Sequence, residues 1–226
     1  MSVPPKIVLL GESGVGKTCI IKQFVEGSFD EGTLSSLTNQ FVIKTLEFPG
    51  GKSLTLHVWD TAGQEKYRSL AKIYYKDAKA VILVYDITDE KSFNEIKNYW
   101  YEQVKESGAS NPILGVAANK SDIYDERKVN DEDGKGFAKQ IGAVFSATSA
   151  KTSEGINILF ENIALKILDP NYDFYKKKAG NVNPQENKND NPPANKGVQL
   201  TKEKTIKEKK TGCCWIIYNV NIIIYN

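Results

Sequence analysis

Gly11-Glu12-Ser13-Gly14-Val15-Gly16-Lys17-Thr18 decides the fold of this chain. The octapeptide has the spacing G-x-x-x-x-G-K-[ST]. The apolar run Ile7-Val8-Leu9-Leu10 precedes it, and a periodic segment follows with Ile20, Ile21, Phe24 and Val25 on one helical face. A strand that passes through a glycine-rich turn into a helix start is the context in which this spacing cradles phosphate. Successive backbone N–H groups of such a turn point inward at phosphate oxygens, and the helix N-terminus adds partial positive charge. Lys17 can then reach the outer phosphates, and the Thr18 hydroxyl can ligate Mg²⁺. The stretch predicts a nucleoside-phosphate site.

Working outward, strand-like runs alternate with helix-like ones. Strands are predicted over Lys6–Leu10, Phe41–Phe48, Leu54–Asp60, Ala80–Asp86, Leu114–Asn119 and Ala143–Phe145, and helices over Lys17–Glu26, Ser92–Glu106, Asp131–Ile141 and Glu154–Leu168. Pro49-Gly50-Gly51 is too short for a crossover and predicts an antiparallel hairpin between the second and third strands. The other strands are separated by helices, so they should form a parallel sheet covered on both faces. The fold class is α/β: six strands, mostly parallel with one antiparallel hairpin strand. Ligands of such sheets sit beyond the carboxyl ends of the strands, and every motif here falls at such an end.

The 226 residues are 40% hydrophobic and 26% charged, ordinary for a globular chain, with a net charge of +2. The charge is unevenly spread. Lys176 to Lys210 holds ten lysines against Glu186, Asp190, Glu203 and Glu208, a net of +6 that leaves −4 for residues 1–175. A basic tail of this kind meets anionic surfaces; a membrane is the expected one, and nucleic acid is not an expected partner. From Pro170 onward the composition, rich in Asn, Pro and Lys, offers little to bury and predicts disorder. Cys19 reads as a small buried residue behind the phosphate loop, while Cys213 and Cys214 are adjacent, so no disulfide framework is expected. The first residues lack a charged segment followed by an apolar one, so secretion is not expected.

The base is read by a second motif. Asn119-Lys120-Ser121-Asp122 follows a strand about a hundred residues after the phosphate loop. The Asp122 carboxylate can accept from guanine N1–H and its 2-amino group, whereas adenine presents an acceptor at N1 and leaves a buried carboxylate unpaired. The Lys120 stem can lie along the base and Asn119 can brace the neighbouring loops. A third motif, Asp60-Thr61-Ala62-Gly63-Gln64-Glu65, ends the third strand. There Asp60 can hold Mg²⁺ through water, the Gly63 N–H can meet the γ-phosphate, and Gln64 can orient the attacking water. His57, the lone histidine, lies away from that end and reads as structural.

Together these residues resemble the Ras superfamily of small GTPases over residues 4–168. Trp59–Leu70, Ile73-Tyr74-Tyr75 and Val84-Tyr85-Asp86-Ile87-Thr88 are similar to its Rab branch, and Ser69–Lys76 leans toward the endosomal subgroup. The resemblance implies a P-loop small G domain, binding of GTP/GDP and Mg²⁺, and slow hydrolysis of GTP with Gln64 and Lys17 as the catalytic residues. It implies nucleotide contacts from Ser13, Gly14, Val15, Gly16, Lys17, Thr18, Cys19, Phe29, Ser36, Gly63, Asn119, Lys120, Asp122, Ser149, Ala150 and Lys151, and metal contacts from Thr18, Ser36 and Asp60. Ser149-Ala150-Lys151 matches the last base-contact loop and Phe29 the aromatic that covers the base. Phe41, Trp59 and Tyr74 match an aromatic triad presented to effectors. An exchange factor, a GTPase-activating protein and a GDP-dissociation inhibitor or escort protein are further implied partners. The implied place is the cytoplasmic face of an endomembrane, the early endosome for the endosomal subgroup, with cycling through the cytosol. No arginine that could act in cis on the γ-phosphate is evident: Arg68 lies in the second switch and Arg127 follows the base loop. Ser36 departs from the family, which has a threonine there, and Leu37–Phe41 lacks the usual glycine. Serine keeps the hydroxyl and loses the methyl that restricts χ1, so the first switch is expected to close less completely on GTP. The alternative function is a GTP-binding module that recruits effectors with little hydrolysis.

The expected organisation is a G domain over 1–169, a disordered basic tail over 170–212, prenylation cysteines at 213–214 and an apolar extension over 215–226. Gly212-Cys213-Cys214 resembles the Rab double-prenylation ending, where two chains anchor what one holds only marginally. The extension Trp215–Asn226 runs past that ending and is too short to span a bilayer. Its Ile, Tyr and Asn residues can all come from A/T-only codons, and Trp215 stands where a TGA could lie. We read it as untranslated sequence carried through a stop, which any Trp codon other than TGA at 215 excludes; if it is retained, an interfacial apolar anchor replaces the lipids.

Overall fold

The computed structural model describes residues 3–32, 40–61, 75–106, 111–177 and 222–223. By compactness the chain divides into Met1–Phe174 with Asn219–Asn226, and Tyr175–Tyr218. The second unit is described only at residues 175–177; the sheet and the candidate site belong to the first.

The six predicted strands form one sheet, at β1 (Lys6–Leu10), β2 (Gln40–Phe48), β3 (Lys52–Asp60), β4 (Ala80–Asp86), β5 (Ile113–Asn119) and β6 (Val144–Ala147). Their order is β6-β5-β4-β1-β3-β2. β2 and β3 are antiparallel across the Pro49-Gly50-Gly51 turn, with Phe41 opposite Trp59 and Gln40 opposite Asp60. The other pairs, β1 with β3 and β4, and β5 with β4 and β6, are parallel. A short β7 (Ile222–Ile223) lies antiparallel on the outer edge of β2, with Ile223 opposite Ile43. The sequence reading had no strand there. An apolar run of the chain's end satisfies backbone groups that an edge strand otherwise leaves open.

Side chains of β1 alternate between two cores. Ile7 and Leu9 face one side with Ile20, Phe24, Leu159 and Phe160; Val8 and Leu10 face the other with Tyr85, Phe93, Trp100 and Phe137. The first side is covered by α1 (Lys17–Glu26) and α5 (Ile156–Leu168), whose Phe24 and Phe160 rings stack at 3.8 Å. The second is covered by α2 (Glu90–Glu95), α3 (Tyr101–Glu106) and α4 (Asp131–Gln140). Ile20, Ile21, Phe24 and Val25, the predicted inner face of α1, are all buried.

Two helices depart from expectation. The stretch predicted as one helix over Ser92–Glu106 begins at Glu90, capped by Asp89 Oδ1 accepting from the Lys91 N–H at 3.0 Å, and passes through a π turn at Ile96–Trp100. α5 starts two residues later than predicted, because Gly155 is in the left-handed region at φ 70° and a Cβ there would stand 1.9 Å from the Ala147 carbonyl oxygen.

Candidate nucleotide site

The site is assembled where β1, β3, β5 and β6 end. Gly11 to Gly16 leave β1 and wrap back onto α1, whose first residue is Lys17. Val15 and Lys17 are buried, while Ser13 and Gly14 are exposed. Lys17 Nζ donates to the carbonyls of Gly11 at 2.9 Å and Glu12 at 2.8 Å, so the ammonium lies in the loop's concavity. Burial pulls its pKa down to about 8, against the raising influence of Asp60 and Glu12. An ammonium buried short of counter-charge is a receptor for an anion.

Beside it, Thr18 Oγ1 donates to Asp60 Oδ2 at 2.8 Å across 42 positions of sequence. A hydroxyl and a carboxylate oxygen at one point are hard donors of the kind Mg²⁺ takes when phosphates and waters complete its shell. Among the described residues no cluster of three or more His, Cys, Asp or Glu offers a polydentate alternative. The donor set fits Mg²⁺.

The base loops converge on the same place. Asn119 Nδ2 donates to the Val15 carbonyl at 2.8 Å, and Thr148 Oγ1 donates to Asn119 Oδ1 at 3.2 Å. One buried amide thus joins the phosphate loop, the β5 end and the β6 end. The join is tight: a Cβ on Gly16, whose φ is 94°, would stand 2.4 Å from Asn119 Nδ2. Lys120, at φ 64°, turns its side chain so that Nζ reaches Asp86 Oδ2 at 2.6 Å, at the end of β4. The other Asp86 oxygen accepts from the Thr88 N–H and hydroxyl, both at 2.8 Å. Ser149 Oγ donates to Asp122 Oδ1 at 2.6 Å, which aims the carboxylate, and accepts from the Thr152 N–H at 3.0 Å.

A cavity of about 300 Å³ opens between these loops, with Gly14, Gly16 and Cys19 on one wall and Asn119, Lys120, Asp122 and Ala150 on the other. Phe29, half-buried, lines it too. Lys151 Nζ pairs with Glu31 Oε1 at 2.8 Å at the rim, which raises the pKa of this exposed lysine. Cys19, expected to be buried behind the phosphate loop, is half-buried: it packs against the core and also lines the cavity, because α1 begins at Lys17 and its third position still faces the loop.

Sequence reading missed Asp30, Glu31 and Ile123 on the cavity wall, and Asp86, Thr148 and Glu12 as partners of the named residues. Only Asp86 carried a signal, its place at a strand end. Phe41 and Trp59 do meet, with ring centroids 5.1 Å apart, and Phe41 stays 43% exposed. His57 lies beside Phe41 at 5.7 Å, remote from the cavity. Ser36, Gly63, Gln64, Arg68, Tyr74, Cys213 and Cys214 lie outside the described residues.

A phosphate loop and an Asn-Lys-x-Asp loop facing one another on a sheet of this order define a small G domain. A family model described as Ras family matches residues 6–169. Ras-related protein Rab-22A of Homo sapiens is 37% identical over 209 residues, covering 92% of this chain and 97% of that protein. Ras-related protein Rab-21 of Mus musculus is 35% identical over 209 residues, with 92% and 90% covered. Ras-related protein Rab-13 of Canis lupus familiaris is 42% identical over 163 residues, with 72% and 79% covered. The chain belongs to the Ras family of small GTPases, in its Rab branch.

Proposed function

We propose that this chain is a GTP-binding and GTP-hydrolysing switch in membrane trafficking, and that the residues named above carry its chemistry. The observation that supports it most is the Asp122 carboxylate, held at 2.6 Å by Ser149 and lining the cavity beside the phosphate loop. Guanine offers that carboxylate two donors and adenine none, a difference on the order of 10⁴ in affinity. The Ala150 N–H meets guanine O6, Phe29 covers one face of the base and the Lys120 stem the other. Lys17 and the N–H groups of Gly14 to Cys19 take up charge on the β- and γ-phosphates. Thr18, Ser36 and, by way of water, Asp60 would hold Mg²⁺, which would supply charge neutralisation to the phosphates. Gln64 orients the attacking water and the Gly63 N–H holds the γ-phosphate, so the two switch segments order with GTP and relax after hydrolysis.

Hydrolysis without an activating protein is slow. The exposed Phe41 with Trp59 and Tyr74 forms the surface read by effectors, while an exchange factor and a GDP-dissociation inhibitor or escort protein complete the cycle. In a mature protein that ends at Cys214, Cys213 and Cys214 carry prenyl chains; in one that keeps residues 215–226 the apolar extension takes their place, and in both the basic tail meets the cytoplasmic face of an endomembrane, the early endosome in this reading. No helix among the described residues is long and apolar enough to cross a membrane.

Competition of GTP against ATP on the purified chain tests the reading. Guanine selectivity should be lost in Asp122→Asn, and ATP preference in the wild type refutes the assignment. Single-turnover hydrolysis should slow in Gln64→Leu; equal rates remove Gln64 from the mechanism. Ser36, without the threonine methyl, favours a looser first switch, visible as more than one γ-phosphate resonance by phosphorus NMR; a single resonance unchanged by Ser36→Thr ends that point.

A further inference from the structure

The phosphate loop is held from a second direction. A π turn accommodates one residue more than an α turn and rotates the helix after it against the helix before it, and such turns recur at functional sites. In this chain the π turn ends on Trp100, which is 5% exposed and belongs to the same buried cluster as Val8, Leu10 and Ile96. Its ring meets Tyr99 edge-on at 5.0 Å. The indole N–H leaves that core and enters the phosphate loop, where Nε1 donates to Glu12 Oε1 at 3.0 Å, across 88 positions of sequence. Glu12 is also the residue whose backbone carbonyl accepts from Lys17 Nζ at 2.8 Å. One residue of the loop therefore carries a tether on its side chain and part of the lysine cradle on its backbone.

The other end of the same helical stretch is fixed to the end of β4, whose Asp86 pairs with the base loop. Ser92 Oγ accepts from the Asp86 N–H at 3.0 Å and donates to the Asp89 carbonyl at 2.7 Å, and the Asp86 carboxylate holds Lys120. The stretch from Glu90 to Trp100 is thus bonded directly to the phosphate loop and, through Asp86, indirectly to the base loop.

We infer that Trp100 is a positioning residue for nucleotide binding: by holding the Glu12 side chain it keeps the Glu12 carbonyl aimed at Lys17 and the phosphate loop in its receiving shape. The inference rests on the nucleotide reading above. The indole donor is the only polar atom of an otherwise apolar side chain, and it is spent on a carboxylate of the loop. A hydrogen bond to a charged, half-buried acceptor is among the stronger ones in proteins.

The test is a double-mutant cycle on the full chain loaded with Mg²⁺ and a fluorescent GDP. Trp100→Phe keeps the ring in the core and removes the donor; Glu12→Ala removes the acceptor. Trp100→Phe is expected to speed GDP release about tenfold when Glu12 is present. In the Glu12→Ala background it should change release less than about twofold. The indole resonance of Trp100 in a ¹⁵N spectrum should move on Glu12→Ala. A tryptophan that only fills the core gives a lowered melting temperature, the same increment in both backgrounds and an unmoved indole resonance, and that result overturns the inference. A wild-type chain that fails to retain GDP overturns the nucleotide reading, and this inference with it. Retention by the wild type with equal release from Trp100→Phe overturns the inference alone.

Discussion

Raising the pH on the nucleotide-free chain should weaken its hold on GDP before any base contact changes. Burial holds the Lys17 pKa at about 8, against 10.5 for a lysine in water. A polyphosphate beside Nζ restores the charged form, so binding must be accompanied by proton uptake wherever the free protein has lost that proton. With a bound value near the ordinary one, uptake is about a quarter of a proton at about pH 7.5 and about three quarters at about pH 8.5. Affinity should fall roughly fourfold from about pH 7 to about pH 8.5, close to 0.8 kcal/mol. Calorimetric titration of GDP with Mg²⁺ in buffers of different ionisation enthalpy reads the proton count directly. The range stays below that in which guanine itself titrates. No uptake at the higher pH, or release of protons, refutes the placement of a charge-starved ammonium in the loop. The same group makes a second, opposite statement about stability. Its folded pKa lies below its unfolded one, so between about pH 8 and about pH 10.5 the unfolded chain binds more protons. The cost of burying the charge, about 3 kcal/mol, is fully present below that window and fades through it, so this group makes the nucleotide-free domain more stable as the pH rises.

Three further outcomes rest on packing. Gly134→Ala places a Cβ 2.3 Å from the Tyr85 hydroxyl oxygen and 2.9 Å from Phe145, so chemical denaturation should show a loss of about 1–3 kcal/mol. Phe160→Ala removes a fully buried ring stacked on Phe24 and should lose about 3–5 kcal/mol in the same assay, with nucleotide selectivity retained in the folded fraction. Gly155→Ala, which forces a side chain against the Ala147 carbonyl from a left-handed backbone, should destabilise by more than about 2 kcal/mol, and an unchanged melting temperature would show that the β6–α5 corner can open.

How much of the fold and the site was legible depends on the distance over which each feature is encoded. β1, β4 and α1 were read to the residue because their apolar patterns end at glycine, lysine or aspartate on both sides. The π turn was not legible, since Phe93, Ile96, Trp100 and Val104 are buried at spacings of three and four that an α-helix also produces. The two loop motifs were readable because each is a short contiguous pattern, and the structure brings both to one cavity. Their cross-links were not. Nothing near Lys151 announces Glu31, and nothing near Asn119 announces that Thr148 will donate to it. Such pairs arise only when the sheet order brings distant strand ends together. The pairing of Ile222–Ile223 with β2 is of the same kind, since its partner edge lies far away in sequence.

The contact of Gly16 with Asn119 has a consequence for anyone who would re-engineer the pocket. There is no room for a methyl group between the turn that would hold phosphate and the amide that braces the base loop. In the proposed function the two recognition events would therefore share a hinge pin, and a library that varies position 16 alone would sample broken pockets. Relieving the clash at position 119 would not free position 16 either, because its left-handed backbone at φ 94° strains any side chain.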